Sequence, residues 1–104
     1  MVNISKEENK KMTTLRQILK LFNYYQECKV IMYESDTDSL TAFTAGARDA
    51  DDILRKWDDD VVIDWPVENV SPKREQLENG EFKIVMAIVI MKPYDYERTH
   101  KKED

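Results

Sequence analysis

Cysteine, histidine and glycine are scarce in this chain. A single cysteine, Cys28, among 104 residues excludes an intramolecular disulfide, so the fold needs no oxidising compartment. A single histidine, His100, leaves that cysteine without the neighbours a zinc site requires. Two glycines, Gly46 and Gly80, cannot build a phosphate-cradling loop. With only three prolines beside them, collagen-like and Gly/Pro-rich low-complexity classes are excluded. The longest continuous apolar run, Ile84 to Met91, is eight residues and too short to span a bilayer. Met1 to Thr13 has no apolar centre of the kind a signal peptide carries. Basic residues are also in deficit. There are 16 Lys and Arg against 21 Asp and Glu, a formal net charge of −5, which excludes a simple basic nucleic-acid binder. The expected setting is cytoplasmic, with no membrane contact and no direct nucleic-acid contact.

What is present fits one small domain. The length matches a single core, and 36% of residues are charged, well above the usual ~25%. Thr14-Leu15-Arg16-Gln17 has the T-x-x-Q form of a capping box, and Leu15, Ile18, Leu19 and Phe22 then make one apolar stripe on a short helix ending near Asn23. Glu27 to Glu34 reads as a strand with Cys28, Val30 and Met32 on one side. Asp36 to Ser39 is turn chemistry, and Leu40 to Ala45 is a second strand paired with the first as a hairpin. A second helix is expected from Asp49, its cap, with Ala50, Ile53, Leu54 and Trp57 as the stripe. Asp51 and Asp52 suit its positive end, and Arg55 and Lys56 its negative end.

Asp60 to Trp65 alternates like a third strand and stops at Pro66. Val67 to Asn79 reads equally as a loop or as a helical turn begun at Ser71-Pro72. Asn79-Gly80 is a turn, and Glu81 to Met91 is a central strand that is apolar on both faces. The expected fold is therefore α+β in the order α-β-β-α-β-β. A four-stranded, mostly antiparallel sheet carries two short helices, with a strongly curved or partly closed sheet as the alternative. Residues 1–13 form a flexible arm, 14–93 the domain and 94–104 a polar tail. An exposed strand edge leaves both a monomer and a homodimer open.

Charge is polarised along the chain. Residues 1–20 carry +3 and residues 27–68 carry −8, while the remainder balances. Three acidic groupings lie in the middle segment: Asp36 and Asp38 in the hairpin turn, Asp49, Asp51 and Asp52 opening the second helix, and Asp58, Asp59 and Asp60 following it. The last two bracket one helix of about 12 Å, so their carboxylates can imitate a row of phosphates or steer a basic partner. The competing reading is that these residues cap, turn and solubilise.

Tyr24 and Tyr25, just past the first helix, are candidates for an exposed aromatic contact. Trp57 and Trp65 flank the triple Asp and read either as interface anchors or as core. No catalytic residue is singled out. Cys28 lies in an apolar strand pattern and His100 in the tail. Asp36-x-Asp38 lacks the EF-hand continuation, with Thr41 at the glycine position and Ala47 at the glutamate position. Neither a metal nor a cofactor is expected.

The phrase Thr14-Leu15-Arg16-Gln17-Ile18-Leu19-Lys20-Leu21-Phe22, followed by Cys28 to Tyr33, resembles the opening of small phage and mobile-element proteins of Gram-positive bacteria. The resemblance spans residues 14–65 and its motifs are structural. It implies a phage-encoded accessory protein acting in the host cytoplasm. By size and charge, it implies an inhibitor of host defence of the anti-CRISPR or anti-restriction kind. The partner would be a protein with a basic groove, such as a nuclease. The alternative is a homo-oligomeric binding or structural module of such an element with no inhibitory role.

Overall fold

The computed structural model describes residues 13–100. Except for Thr13, the expected arm lies outside the described residues, as do residues 101–104 of the expected tail. Helix α1 spans Leu15–Leu21 and opens with the capping box. Thr14 Oγ1 accepts from the Gln17 amide at 3.2 Å, and the Thr14 N–H donates back to Gln17 Oε1 at 2.9 Å. Leu15 and Leu19 are buried, and Ile18 and Phe22 pack beside them.

Strand β1, Glu27–Glu34, pairs with β2, Ser39–Ala42, as the expected hairpin. The second strand is shorter than Leu40 to Ala45, for a local reason. Phe43 and Thr44 both donate their N–H to the Val30 carbonyl, at 2.8 and 3.3 Å, while Thr44 Oγ1 accepts from the Val30 N–H at 3.2 Å. The ladder breaks there. The chain rejoins the same edge of β1 as a two-residue strand β3, Arg48–Asp49, opposite Cys28 and Glu27. This rejoining supplies a strand absent from the expected order.

Helix α2, Ala50–Lys56, follows directly. Asp49 holds the cap position, yet its side chain makes no cap hydrogen bond. Main chain caps this helix instead: the Ala50 N–H donates to the Gln26 carbonyl at 2.9 Å and the Asp51 N–H to the Tyr24 carbonyl at 3.2 Å.

Two expectations are overturned next. Asp60 to Trp65 is not a strand, because Val61–Asp64 winds into a 3-10 turn. Asp60 bends the chain by accepting the Val62 N–H at 2.9 Å, and Val61 is left exposed while Ile63 is buried. Conversely, Val67–Gln76 is the ten-residue strand β4. Pro72 is tolerated inside it because β4 lies at the edge of the sheet, where one side of the strand needs no donor.

Strand β5, Phe82–Met91, is central as expected, parallel to β1 and antiparallel to β4. The sheet is open and mixed, ordered β2-β1-β5-β4, with β3 also on β1. It has five strands where four were expected, although three of the four pairings are antiparallel.

The core lies between one sheet face and the layer formed by α1, α2 and the 3-10 turn. Cys28, Val30, Ile88 and Ile90 meet Leu15, Leu19, Ala50, Ile53 and Ile63 there. The opposite face of β5 is covered differently. Lys83 pairs with Glu27 at 2.7 Å, and Lys29 bridges to Glu75, so salt bridges span the rungs of the buried Val85 and Ala87. The alkyl stems of the lysines are the groups placed to shield them. A third helix, α3, Pro93–Thr99, occupies the segment expected as a tail. Its end is held by Thr99 Oγ1 donating to the Met91 sulfur at 3.7 Å and by His100 Nε2 beside Glu68 Oε1 at 2.9 Å. The described residues thus form an α+β domain with a mixed sheet and three α-helices.

Candidate interaction surface

The acidic residues singled out in the sequence do not form one patch. Asp36 and Asp38 lie at the β1–β2 turn, whereas Asp49 pairs with Glu27 at the opposite end of β1. Eight strand residues at roughly 3.3 Å each separate the two groups by about 26 Å. The turn acids are engaged locally. Asp38, at φ 53°, accepts the Tyr33 hydroxyl at 2.8 Å, which raises the pKa of the phenol, and Asp36 pairs with Arg98 of α3 at 3.2 Å.

The other two groups share the helix layer. Asp51 and Asp52 are one turn from cations on their own segment, with Arg55 at 3.0 Å and Arg48 at 2.6 Å. Asp58 is gripped by Arg16 of α1 at 2.7 Å, and the same guanidinium holds Asp64 at 2.9 and 3.3 Å. Its Nη2 also donates to the Asp58 carbonyl at 3.2 Å. The fork shape of the guanidinium lets it tie α1 to both ends of the 57–64 segment. Hydrogen bonds donated by Arg16 to Asp64 and then to Asp58 raise the Arg16 pKa, and Arg16 in turn lowers that of Asp64. Asp60 is used in its turn. Asp49 and Asp59 belong to no ion pair among the described residues.

Arg16 and Asp64 were not singled out from the sequence. The pairs Arg16–Asp58 and Arg16–Asp64 are 42 and 48 residues apart in the chain, beyond the reach of local pattern reading. The arrangement leaves an acidic ridge along the outside of α2 and the turn after it. Residues 48–64 carry seven carboxylates and three basic side chains, with Arg16 reaching in from α1.

Tyr24 and Tyr25 are 69% and 78% exposed, and they stand where α2 begins, beside Asp49 and Asp51. The tryptophans pack against the core as partly buried residues. Trp57 touches Phe43 at 4.9 Å between centroids, and its ring carries Arg48 and Lys56 at 5.4 and 5.5 Å. Cations therefore occupy the ring neighbourhood that an incoming cation would need.

Cys28 has no solvent exposure, and burial first, then Asp49 and Glu27, pushes its thiol up to about 12. An activated thiol needs the reverse environment. His100 stacks on Tyr96 at 3.9 Å, with its Nδ1 facing the Tyr96 carbonyl at 2.9 Å. Among the described residues no three His, Cys, Asp or Glu side chains converge as metal ligands. Among them too, no helix is long and apolar enough to cross a membrane. No protein-family model matches the chain, and comparison with curated proteins and with solved structures finds no match either.

Proposed function

We propose that this is a non-enzymatic, acidic interaction protein whose helix layer occupies the basic groove of a nucleic-acid-handling protein, as a phage-type inhibitor of the anti-CRISPR or anti-restriction kind. The carrying observation is the ridge itself. Asp51, Asp52, Asp58, Asp59, Asp60 and Asp64 follow one seven-residue helix and the turn after it, the first two half-buried and the other four exposed. The helix advances about 10 Å, so the two carboxylate groups are spaced like phosphates a few base steps apart. Internal cations hold Asp51, Asp52, Asp58 and Asp64 in place, which lowers the entropy cost of presenting them. They also reduce the net charge, so Asp49, Asp59 and Asp60, which belong to no ion pair among the described residues, are the ones most available to an incoming Lys or Arg.

The test is capture of host proteins by the immobilised chain at low and at high salt, with nucleic acid added as competitor. The captured protein should bind nucleic acid itself, and both salt and competitor should release it. The Asp58→Asn/Asp59→Asn/Asp60→Asn variant should lose it. Equal capture by that variant refutes the ridge mechanism.

A second reading, a homo-oligomeric module, is favoured by a different observation. Leu21, Tyr24, Tyr25, Phe82 and Ile84 are all more than half exposed, and Gln26, next to Tyr25, donates its side-chain amide to the Ile84 carbonyl at 3.1 Å.

A further inference from the structure

Helix α3 is held to the domain with no buried side chain of its own. Three polar anchors fix it instead. Arg98 Nη2 donates to Ser35 Oγ at 2.9 Å and pairs with Asp36 at 3.2 Å, reaching the β1–β2 turn. Thr99 Oγ1 reaches the Met91 sulfur at 3.7 Å, at the end of β5. His100 Nε2 meets Glu68 Oε1 of β4 at 2.9 Å. An element with few buried apolar contacts lies at the low end of local stability, so one anchor can decide whether it stays docked.

The third anchor is shaped for one charge state. His100 Nδ1 lies 2.9 Å from the Tyr96 carbonyl, while Nε2 lies 2.9 Å from the Glu68 carboxylate. A carbonyl and a carboxylate only accept. Thr99 Oγ1 is also 2.9 Å from Nδ1, but the Asp95 carbonyl at 2.9 Å and the Met91 sulfur compete for its proton, so it too meets Nδ1 as an acceptor. A neutral imidazole has one N–H and leaves its other nitrogen with a lone pair against an acceptor, whereas an imidazolium donates at both. Two further features favour the cation. The ring sits at the C-terminal end of α3, where the helix dipole is negative, and it stacks on the Tyr96 ring at 3.9 Å between centroids.

The charged and titratable groups around this anchor come from three elements. Glu68 of β4 faces the ring, and Tyr96 stacks on it from α3. Tyr33 of β1 lies near Glu68, and its phenol stays protonated because the Asp38 hydrogen bond first, and the Glu68 charge last, raise its pKa. Arg98 stays charged, raised by Asp95 and by Asp36. Lys101 and Lys102 follow in the sequence and lie outside the described residues. Of the side-chain types in the three anchors, imidazole is the one whose charge ordinarily changes between about pH 5 and 8.

We propose that α3 is a pH-operated flap: protonated His100 clasps it onto β4 through Glu68, and loss of that proton releases it. Release uncovers Met91, which is 2% accessible and which Thr99 touches, and it takes Arg98 away from Asp36, so the β1–β2 turn gains a free carboxylate. The acceptors fix the sign. The closed state holds a proton that the open state gives up, so closure is fullest at low pH and is lost as pH rises through the imidazole range.

The test follows the Met91 methyl and the α3 backbone amides by nuclear magnetic resonance from about pH 5.5 to about 8. The ratio of closed to open α3 should fall about three- to tenfold, the combined range of a part-exposed ion pair and a charge at a helix end. His100→Gln keeps one donor and cannot be charged, so it should hold the parent's high-pH ratio throughout. Glu68→Gln should cut the response to about twofold, the helix-end share alone. Both side chains are at least a third accessible, so the fold is expected to be retained and is checked by circular dichroism. A parent with the same ratio at both ends of the range overturns the proposal, as does a pH response that survives in His100→Gln. A full response in Glu68→Gln overturns the clasp on β4.

Discussion

Cys28 gives a quantitative check on how the core is closed. It is the chain's single cysteine, it has no solvent exposure, and its thiol is pushed from 9.0 up to about 12. Only the thiolate attacks a disulfide reagent. At pH 8 a thiol at 9.0 is about one-tenth ionised and a thiol at 12 about one ten-thousandth, so ionisation alone slows labelling roughly thousandfold, before access is counted. The assay is reaction with an aromatic disulfide reagent, followed by absorbance, in buffer and in increasing urea. The rate in buffer should lie at least three orders of magnitude below that of the urea-unfolded chain. It should rise with urea along the unfolding transition seen by circular dichroism. Labelling in buffer within tenfold of the unfolded rate would refute the closed core around β1. The sign of the linked pH effect follows. The folded state holds the proton that the unfolded state releases near 9.0, so stability present below that pH is lost as pH rises from 9.0 toward 12.

Other expectations concern caps, turns and packing. Thr14→Ala should cost about 1 kcal/mol in urea unfolding, because it breaks the capping box. Asp49→Ala, at a cap position where main chain does the bonding, should change stability by only a few tenths of a kcal/mol on the same ~1 kcal/mol scale. Equal losses at the two caps would refute the assignment. Gly80→Ala should destabilise by about 1–2 kcal/mol, since φ is +91° in the β4–β5 turn and a Cβ disfavours that region. Ile88→Ala empties the middle of the core and should cost about 2–5 kcal/mol, read as a lower urea midpoint with an unchanged slope. Pro72→Val restores a donor on the β4 edge and should raise aggregation on storage, measured by light scattering, with little loss of stability.

Elements whose signal is local were legible from residues alone. The capping box and the i, i+3, i+4, i+7 stripe place α1. The stripe and charge order place α2, and the run from Ile84 places a central strand covered on both faces. Local signals misled where they matched two structures. Val61, Ile63 and Trp65 alternate as a strand would, but Asp60 bonds the backbone two residues on and turns the chain. Ser71-Pro72 and the charges after it look like a loop, because an edge strand carries Pro and Lys to stay unpaired. Of the candidate surface, the chain order alone placed the carboxylates of α2 and the turn after it near one another, along with the exposure of Tyr24 and Tyr25.

By itself, then, the sequence determined composition, the two buried helix stripes, the hairpin and the polarised charge, all properties of neighbours within a turn or a strand. Tertiary structure alone decided which carboxylates are spoken for, because Arg16 reaches Asp58 and Asp64 across more than forty residues. It also decided that the turn acids stand at the far end of β1, and that Ile84 and Phe82 stay exposed with Arg74 beside them. Such facts depend on strand order and register, which chain-distant hydrogen bonds set and no local window records.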